Sequence, residues 1–167
     1  TPSNATSFGN QLGTARSYPM ALASATRACF GGGQISGAPE NVIDYITIAT
    51  TGNASDFGDL VAGNQAPTGL ADDTRGIWAG GVSQNVIQYI TIASTGNATD
   101  FGDLTQATWY AMSTSNPTRG VIAGGSTSSG TINNIEYITI STLGNSTDFG
   151  DLIESKRQGA GVSDYVK

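Results

Sequence analysis

Three stretches of the chain carry β-branched and aromatic residues in one order: Val42-Ile43-Asp44-Tyr45-Ile46-Thr47-Ile48, the copy from Val86 to Ile92, and the copy from Ile135 to Ile140. Such residues suit a pleated, half-buried surface, so each stretch predicts a strand. Asp44, Gln88 and Glu136 share one variable place in these copies, and variation beside fixed apolar neighbours predicts a side chain facing solvent. Next come Thr51-Gly52-Asn53, Thr95-Gly96-Asn97 and Leu143-Gly144-Asn145. Gly and Asn tolerate positive φ, so the chain reverses there, in a hairpin-like corner, into the segment Asp-Phe-Gly-Asp-Leu. A third strand is predicted over Arg75 to Ala79 and Arg119 to Ala123, with Gly80-Gly81 and Gly124-Gly125 closing each unit by a bulge or a close backbone approach. No window shows a sustained helical period.

The whole pattern recurs. Tyr-Ile-Thr-Ile, an Asx-rich turn and Asp-Phe-Gly-Asp-Leu run from Tyr45 to Leu60, Tyr89 to Leu104 and Tyr137 to Leu152, a period of roughly 44–49 residues. A further copy stands near the start: Asn4-Ala5-Thr6-Ser7-Phe8-Gly9-Asn10-Gln11-Leu12, with Thr26-Arg27-Ala28-Cys29-Phe30-Gly31-Gly32-Gly33 matching Thr74 to Gly81. After Leu152, the residues Lys156-Arg157 and Gly159-Ala160-Gly161 echo the segment after Leu12 and stop short of another Gly-Gly pair. The chain reads as one repeat domain over residues 1–167, with repeats at approximately 8–56, 57–100 and 101–148 and a partial repeat at 149–167. An end that stops in mid-repeat has been cut, or it finds a partner. The copies diverge between Leu60 and Arg75, from Ser126 to Asn134 and from Gly33 to Asn41, while Ser83-Gln84-Asn85 suffices in the second unit. A fixed scaffold with interchangeable loops is the layout of a recognition protein.

Composition agrees with an all-β chain: 23 Gly, 12% charged residues and many Thr, Ser, Ile and Val. The length of 167 residues allows one domain with its own core. A net charge of −6, with seven Lys plus Arg spread singly, argues against nucleic acid and anionic membrane as partners, since both call for a basic face. Cys29 stands alone in an apolar run, which suits a small core residue and leaves no disulfide framework. No apolar stretch approaches the ~20 residues that span a bilayer. The chain is expected to be soluble, and the missing initiator Met suggests a processed or trimmed form.

Several motifs invite a chemical reading. Asp56-Phe57-Gly58 has the letters of a kinase magnesium motif, but it recurs in every full unit without the Gly-rich loop, Lys or His-Arg-Asp segment that would give it meaning. The pairs Asp56 and Asp59, Asp100 and Asp103, and Asp148 and Asp151 offer oxygen ligands to calcium, but they lack the dense Asp ladder and bidentate Glu of an EF-hand, so Asp bonding its own turn is favoured. Arg27, Arg75 and Arg119 are read as structural, forking onto a carboxylate of the same or next unit. With no His, triads and His relays are excluded, and no catalytic residue, cofactor or metal site is predicted. Asp72, Asp73 and Glu154 lie outside the repeat pattern and are the positions a two-carboxylate glycosidase mechanism would use. Asn4, Asn53, Asn97 and Asn145 each head an Asn-x-Ser/Thr acceptor at one equivalent turn, so they are candidate glycosylation sites as well as turn formers.

An apolar strand ending in Gly-Gly, a loop, a Val-x-Tyr-Ile strand, an aromatic about ten residues later and an Arg before the next Gly-Gly together resemble kelch-type β-propeller blades. More closely, residues 89–104 and 118–125 resemble the kelch-like repeats of structural and tail-fibre proteins of cyanophages, over nearly the whole chain. The chain departs from kelch where Phe57, Phe101 and Phe149 replace the usual Trp, and where Ser7 and Asn10 replace carboxylates. The resemblance implies propeller blades, three whole and a fourth completed by another chain or a longer one; a self-contained threefold β-prism or β-trefoil is the alternative. It also implies a non-enzymatic virion or extracellular fibre protein that forms homo-oligomers, or abuts neighbouring repeats of a longer chain, and contacts cell-surface polysaccharide. Tyr18, Trp109 and Tyr110 are the candidate sugar contacts, in loops where a ring can stack. A depolymerase and a secreted, glycosylated filament subunit of a microbe are the competing expectations.

Overall fold

The computed structural model describes residues 4–10 and 12–162. Gln11 of the first motif copy and residues 163–167 of the partial repeat lie outside them. The described residues contain strands and turns and no helix. In chain order, β1 (Met20–Ala23), β2 (Arg27–Gly31), β3 (Gln34–Ile35), β4 (Ala38–Pro39), β5 (Val42–Thr47) and β6 (Ser55–Asp59) make the first unit. The second holds β7 (Thr68–Ala71), β8 (Arg75–Ala79), β9 (Val86–Thr91) and β10 (Thr99–Asp103). The third holds β11 (Met112–Ser115), β12 (Arg119–Ala123), β13 (Ser126–Thr127), β14 (Gly130–Thr131), β15 (Asn134–Thr139) and β16 (Thr147–Asp151). Each unit is a four-stranded antiparallel meander, β1-β2-β5-β6, β7-β8-β9-β10 and β11-β12-β15-β16. The hairpins β3-β4 and β13-β14 fill the variable loops of the first and third units, and Ser83 to Asn85 replaces them in the second. Among the described residues the strands close no barrel.

The sequence locates three strands of each unit and misses the first. β1, β7 and β11 read Met-Ala-Leu-Ala, Thr-Gly-Leu-Ala and Met-Ser-Thr-Ser. They are too short, small and dissimilar to carry a β signal of their own. Their place is fixed by packing, because β7 touches both β1 and β11 and the three sheets meet through these innermost strands. Consequently Gly80-Gly81 and its equivalents do not end a unit; they turn the chain between its second and third strands. Gly80 has φ +67°, and a Cβ there would lie 2.2 Å from the Thr108 carbonyl oxygen of the segment leading to the third sheet. Gly32 and Gly124 make the same approach, to Asn64 and Lys156.

The core lies between sheets. Leu22, Cys29, Ile43, Phe57 and Leu60 of the first unit pack with Trp78, Ile90 and Ile92 of the second. Leu70, Ile77, Ile87, Phe101 and Leu104 of the second pack with Ile122, Ile138 and Ile140 of the third. The two sets are the same repeat positions, so one interface occurs twice. It explains the Gly of Thr-Arg-Gly: a Cβ on Gly76 would stand 2.5 Å from Leu22, and one on Gly120 2.7 Å from Leu70. The first unit has Ala28 at that place, where no described sheet precedes it. Likewise Trp78 has Gly31 facing it, where a Cβ would lie 2.7 Å from the indole, and its Nε1 donates to the Met20 carbonyl at 3.0 Å.

Asp44, Gln88 and Glu136, expected to face solvent, are buried. Each points at the segment entering its own sheet from the preceding repeat. Arg16 bonds Asp44 at 2.7 Å, the Val61 amide donates to Gln88 Oε1 at 2.7 Å, and the Thr105 amide donates to Glu136 at 3.1 Å. Gln88 and Glu136 thus accept the same backbone amide, that of the residue after the motif Leu, whereas the shorter Asp44 meets the Arg16 guanidinium instead.

Replacing Gly80 by Ala forces both a left-handed backbone and a backbone clash, so a loss of about 2–4 kcal/mol is expected in urea unfolding. Gly52, with nothing within 4 Å of a Cβ and no left-handed φ, is the control. Its Ala variant is expected to stay within about 0.5 kcal/mol of the parent.

Candidate functional site

The innermost strands begin at one end of the three-sheet array and finish at the other, and each end carries a cleft. At the starting end, Tyr18, Ala66, Tyr110 and Gln158 hold one repeat position, the sixth residue after Leu12, Leu60, Leu104 and Leu152. All four have left-handed backbone, φ +57°, +56°, +56° and +59°. This conformation costs an L-residue roughly 1–2 kcal/mol. A backbone ladder holds it: the Tyr110 amide donates to the Ala66 carbonyl at 3.2 Å and the Gln158 amide to the Tyr110 carbonyl at 3.0 Å. The Tyr18 and Tyr110 rings meet edge to face, with centroids 5.9 Å apart at 66°. With Met20, Ala66, Ala111 and Gln158 they line a cleft of about 280 Å³ in which no side chain is charged.

Tyr18 and Tyr110 are therefore brought together from distant parts of the chain. Trp109 does not line this cleft; it is half-buried, and its backbone pairs with Ser126 of the β13-β14 hairpin. Ala66 and Gln158 were missed by sequence reasoning. Counting six residues from each motif Leu would have placed them in line with the tyrosines.

At the opposite end a cleft of about 300 Å³ is lined by the β1-β2, β7-β8 and β11-β12 turns, including Ser24, Asp72, Asp73 and Asn116. Asp72 Oδ1 accepts from the Thr74 amide and hydroxyl and from the Arg75 amide, at 2.6–2.9 Å. Asn116 Oδ1 accepts the equivalent bonds from Thr118 and Arg119. Asp72 is thus a turn former with an amide doing the same work one unit on. Glu154 is not in this cleft, and pairs with Lys156 at 3.0 Å on the exposed surface. The three carboxylates outside the repeat pattern do not converge.

The repeat motifs serve the joins between sheets. Arg27, Arg75 and Arg119 stack over Tyr45, Tyr89 and Tyr137 at 4.6, 4.9 and 4.3 Å. Those tyrosines meet Phe57, Phe101 and Phe149 edge to face. Arg27 donates to the Ile92 carbonyl and Arg75 to the Ile140 carbonyl of the next sheet, at 2.9 and 2.7 Å. The arginine thus reaches a carbonyl rather than the expected carboxylate. Asp56 and Asp148 each accept from the amide two residues on, Gly58 and Gly150, at the bulge where the Phe drops out of the strand pairing. Among the described residues no three acidic, Cys or His side chains gather as a metal site.

Asn53, Asn97 and Asn145 are exposed, yet their Oδ1 atoms accept from the amides of Asn10, Asp59 and Asp103 at 3.0 Å, clasping each sheet to the strand before it. Asn4 is exposed in the segment that precedes the first sheet.

Cys29 is fully buried, and burial pushes its thiol up to about 11, against the lowering pull of Arg27. The folded value exceeds the 9.0 of a free thiol, so this contribution to stability is complete below pH 9 and is lost as pH rises through 11. Cys29→Val, which installs the residue the third unit has as Val121, is expected to fold and to flatten that loss. Urea midpoints at pH 8 and 11 for parent and variant measure it, and the native thiol should resist alkylation at pH 8.

No protein-family model matches the chain, and no curated protein does.

Proposed function

We propose that the chain is a non-enzymatic structural component of a virion or extracellular fibre, built of kelch-like β-propeller blades that add to one another and presenting a site for cell-surface glycan. Each meander is one blade in this reading, with β1, β7 and β11 nearest the axis. Three blades do not complete a ring of the roughly four to eight that propellers contain. The side-by-side packing of β1, β7 and β11 and a strand arrangement that closes no barrel among the described residues favour this architecture over a trefoil.

The observation that carries the proposal is a half-interface left open at each end. Phe149 is 56% exposed, where Phe57 and Phe101 are 2% and 3% exposed inside their joins. Ile48 is 43% exposed, where Ile92 and Ile140 are 1% and 0%. Arg119 reaches no carbonyl among the described residues, and the Ile48 carbonyl stands at the place its two repeat equivalents bond. The sizes also fit: the internal joins set Leu22 on Gly76 and Leu70 on Gly120, whereas the free ends offer Thr114 and Ala28. Residues 8–10 now hold the outer part of the first blade, through the Gly52 and Ala54 amides. In the join, β16 of a second copy takes their place.

Light scattering and electron microscopy of the purified protein are expected to show closed rings or filaments. Phe149→Asp should disperse them and shift unfolding stability by less than about 1 kcal/mol, because the ring is mostly exposed in the single chain. A particle that stays monomeric at every concentration overturns self-assembly.

A further inference from the structure

We infer that the Tyr18–Tyr110 cleft is a binding site for one ring of a neutral saccharide. This deepens the glycan-contacting reading above and rests on it for the source of the sugar.

The lining selects the chemistry. With no charged side chain in the cleft and a chain of net charge −6, an anionic sugar gains no partner there and meets an acidic protein. Two tyrosines supply apolar faces for the C–H side of a pyranose and hydroxyls at their rims, while the Gln158 amide can donate and accept, as sugar hydroxyls require. A volume of about 280 Å³ lies just below the roughly 300–1,000 Å³ of pockets that hold drug-sized ligands, which suits one ring unit rather than a long chain.

The site is also held ready. The left-handed backbone at positions 18, 66 and 110 points three repeat-equivalent side chains at one end of the sheet array, and the ladder through Ala66 and Tyr110 fixes it. Aromatic side chains on a fixed backbone lose little conformational freedom on binding. Ala66 is what leaves the cleft open: tyrosine there, as at positions 18 and 110, would add a third ring to the lining and fill it.

That equivalence supplies the test. Ala66→Tyr installs the residue its two repeat neighbours already carry in the same backbone conformation, so it should fold. Saturation-transfer NMR and calorimetry on the full chain, with glucose, galactose, N-acetylglucosamine and glucuronate as probes, read the binding. At least one neutral sugar is expected to bind in the millimolar range through its ring C–H protons, with glucuronate weaker. Ala66→Tyr and Tyr110→Ala should each weaken that binding at least tenfold. The inference is overturned if no neutral sugar binds, if glucuronate binds as well, or if Ala66→Tyr binds like the parent. Light scattering on the same samples separates the two proposals: variants that lose the sugar but keep the assembly support this site, and a monomer that still binds sugar sinks self-assembly alone.

Discussion

Everything in this molecule depends on one interface, the face of one meander laid on the back of the next. A four-stranded sheet of this size cannot bury an apolar face by itself, and the two cores form only where sheets adjoin. Each join combines a buried Phe, worth about 1.5–3 kcal/mol by area, with an Arg stacked on Tyr and tied to a carbonyl of the neighbouring sheet. The Asn clasp adds a directional bond from the turn of one sheet to the outer strand of the one before. Because the same atoms meet at each join, the repeat sequence is conserved within the chain at the joins and free elsewhere.

The variable positions then separate into two kinds. Some vary because they face solvent or loops, as β3-β4 and β13-β14 do. Others vary while staying buried and bonded: Asp44 to Arg16, Gln88 to the Val61 amide, Glu136 to the equivalent Thr105 amide and to Ser146. Burial of a polar group is tolerated only with its bonds made, so identity can change here only among side chains that find a partner. The size pairs Leu22 with Gly76 and Trp78 with Gly31 obey the same rule in packing rather than polarity.

Away from the joins, the two ends of the sheet array are where the repeat breaks its symmetry. One end carries turn-forming Ser24, Asp72 and Asn116, interchangeable in their hydrogen bonding. The other carries Tyr, Ala, Tyr and Gln on one left-handed backbone, the same conformation with different side chains. The scaffold thus fixes backbone geometry while releasing side-chain identity.

By itself the sequence determined the all-β class, the repeat register, the second, third and fourth strands of each unit, and the close backbone approach at the Gly-Gly pairs. These are local properties, set by β-branched periodicity and by missing Cβ atoms. It placed the reversal at Gly52-Asn53 and its copies, whereas the chain turns over Thr47–Thr50 and its equivalents, closed by a backbone bond that leaves no sequence mark. It did not determine β1, β7 and β11, whose small, unlike residues become strands only by standing beside one another. Nor did it show that Asp44, Gln88 and Glu136 are buried, because a repeat position looks variable whether its side chain meets water or a buried donor that several polar side chains can reach. Tyr18 and Tyr110 could be named from the sequence as aromatics in loops. Only the tertiary structure put them 5.9 Å apart across Ala66, since the spacing of two repeats in space is set by how their sheets pack, not by the residues between them.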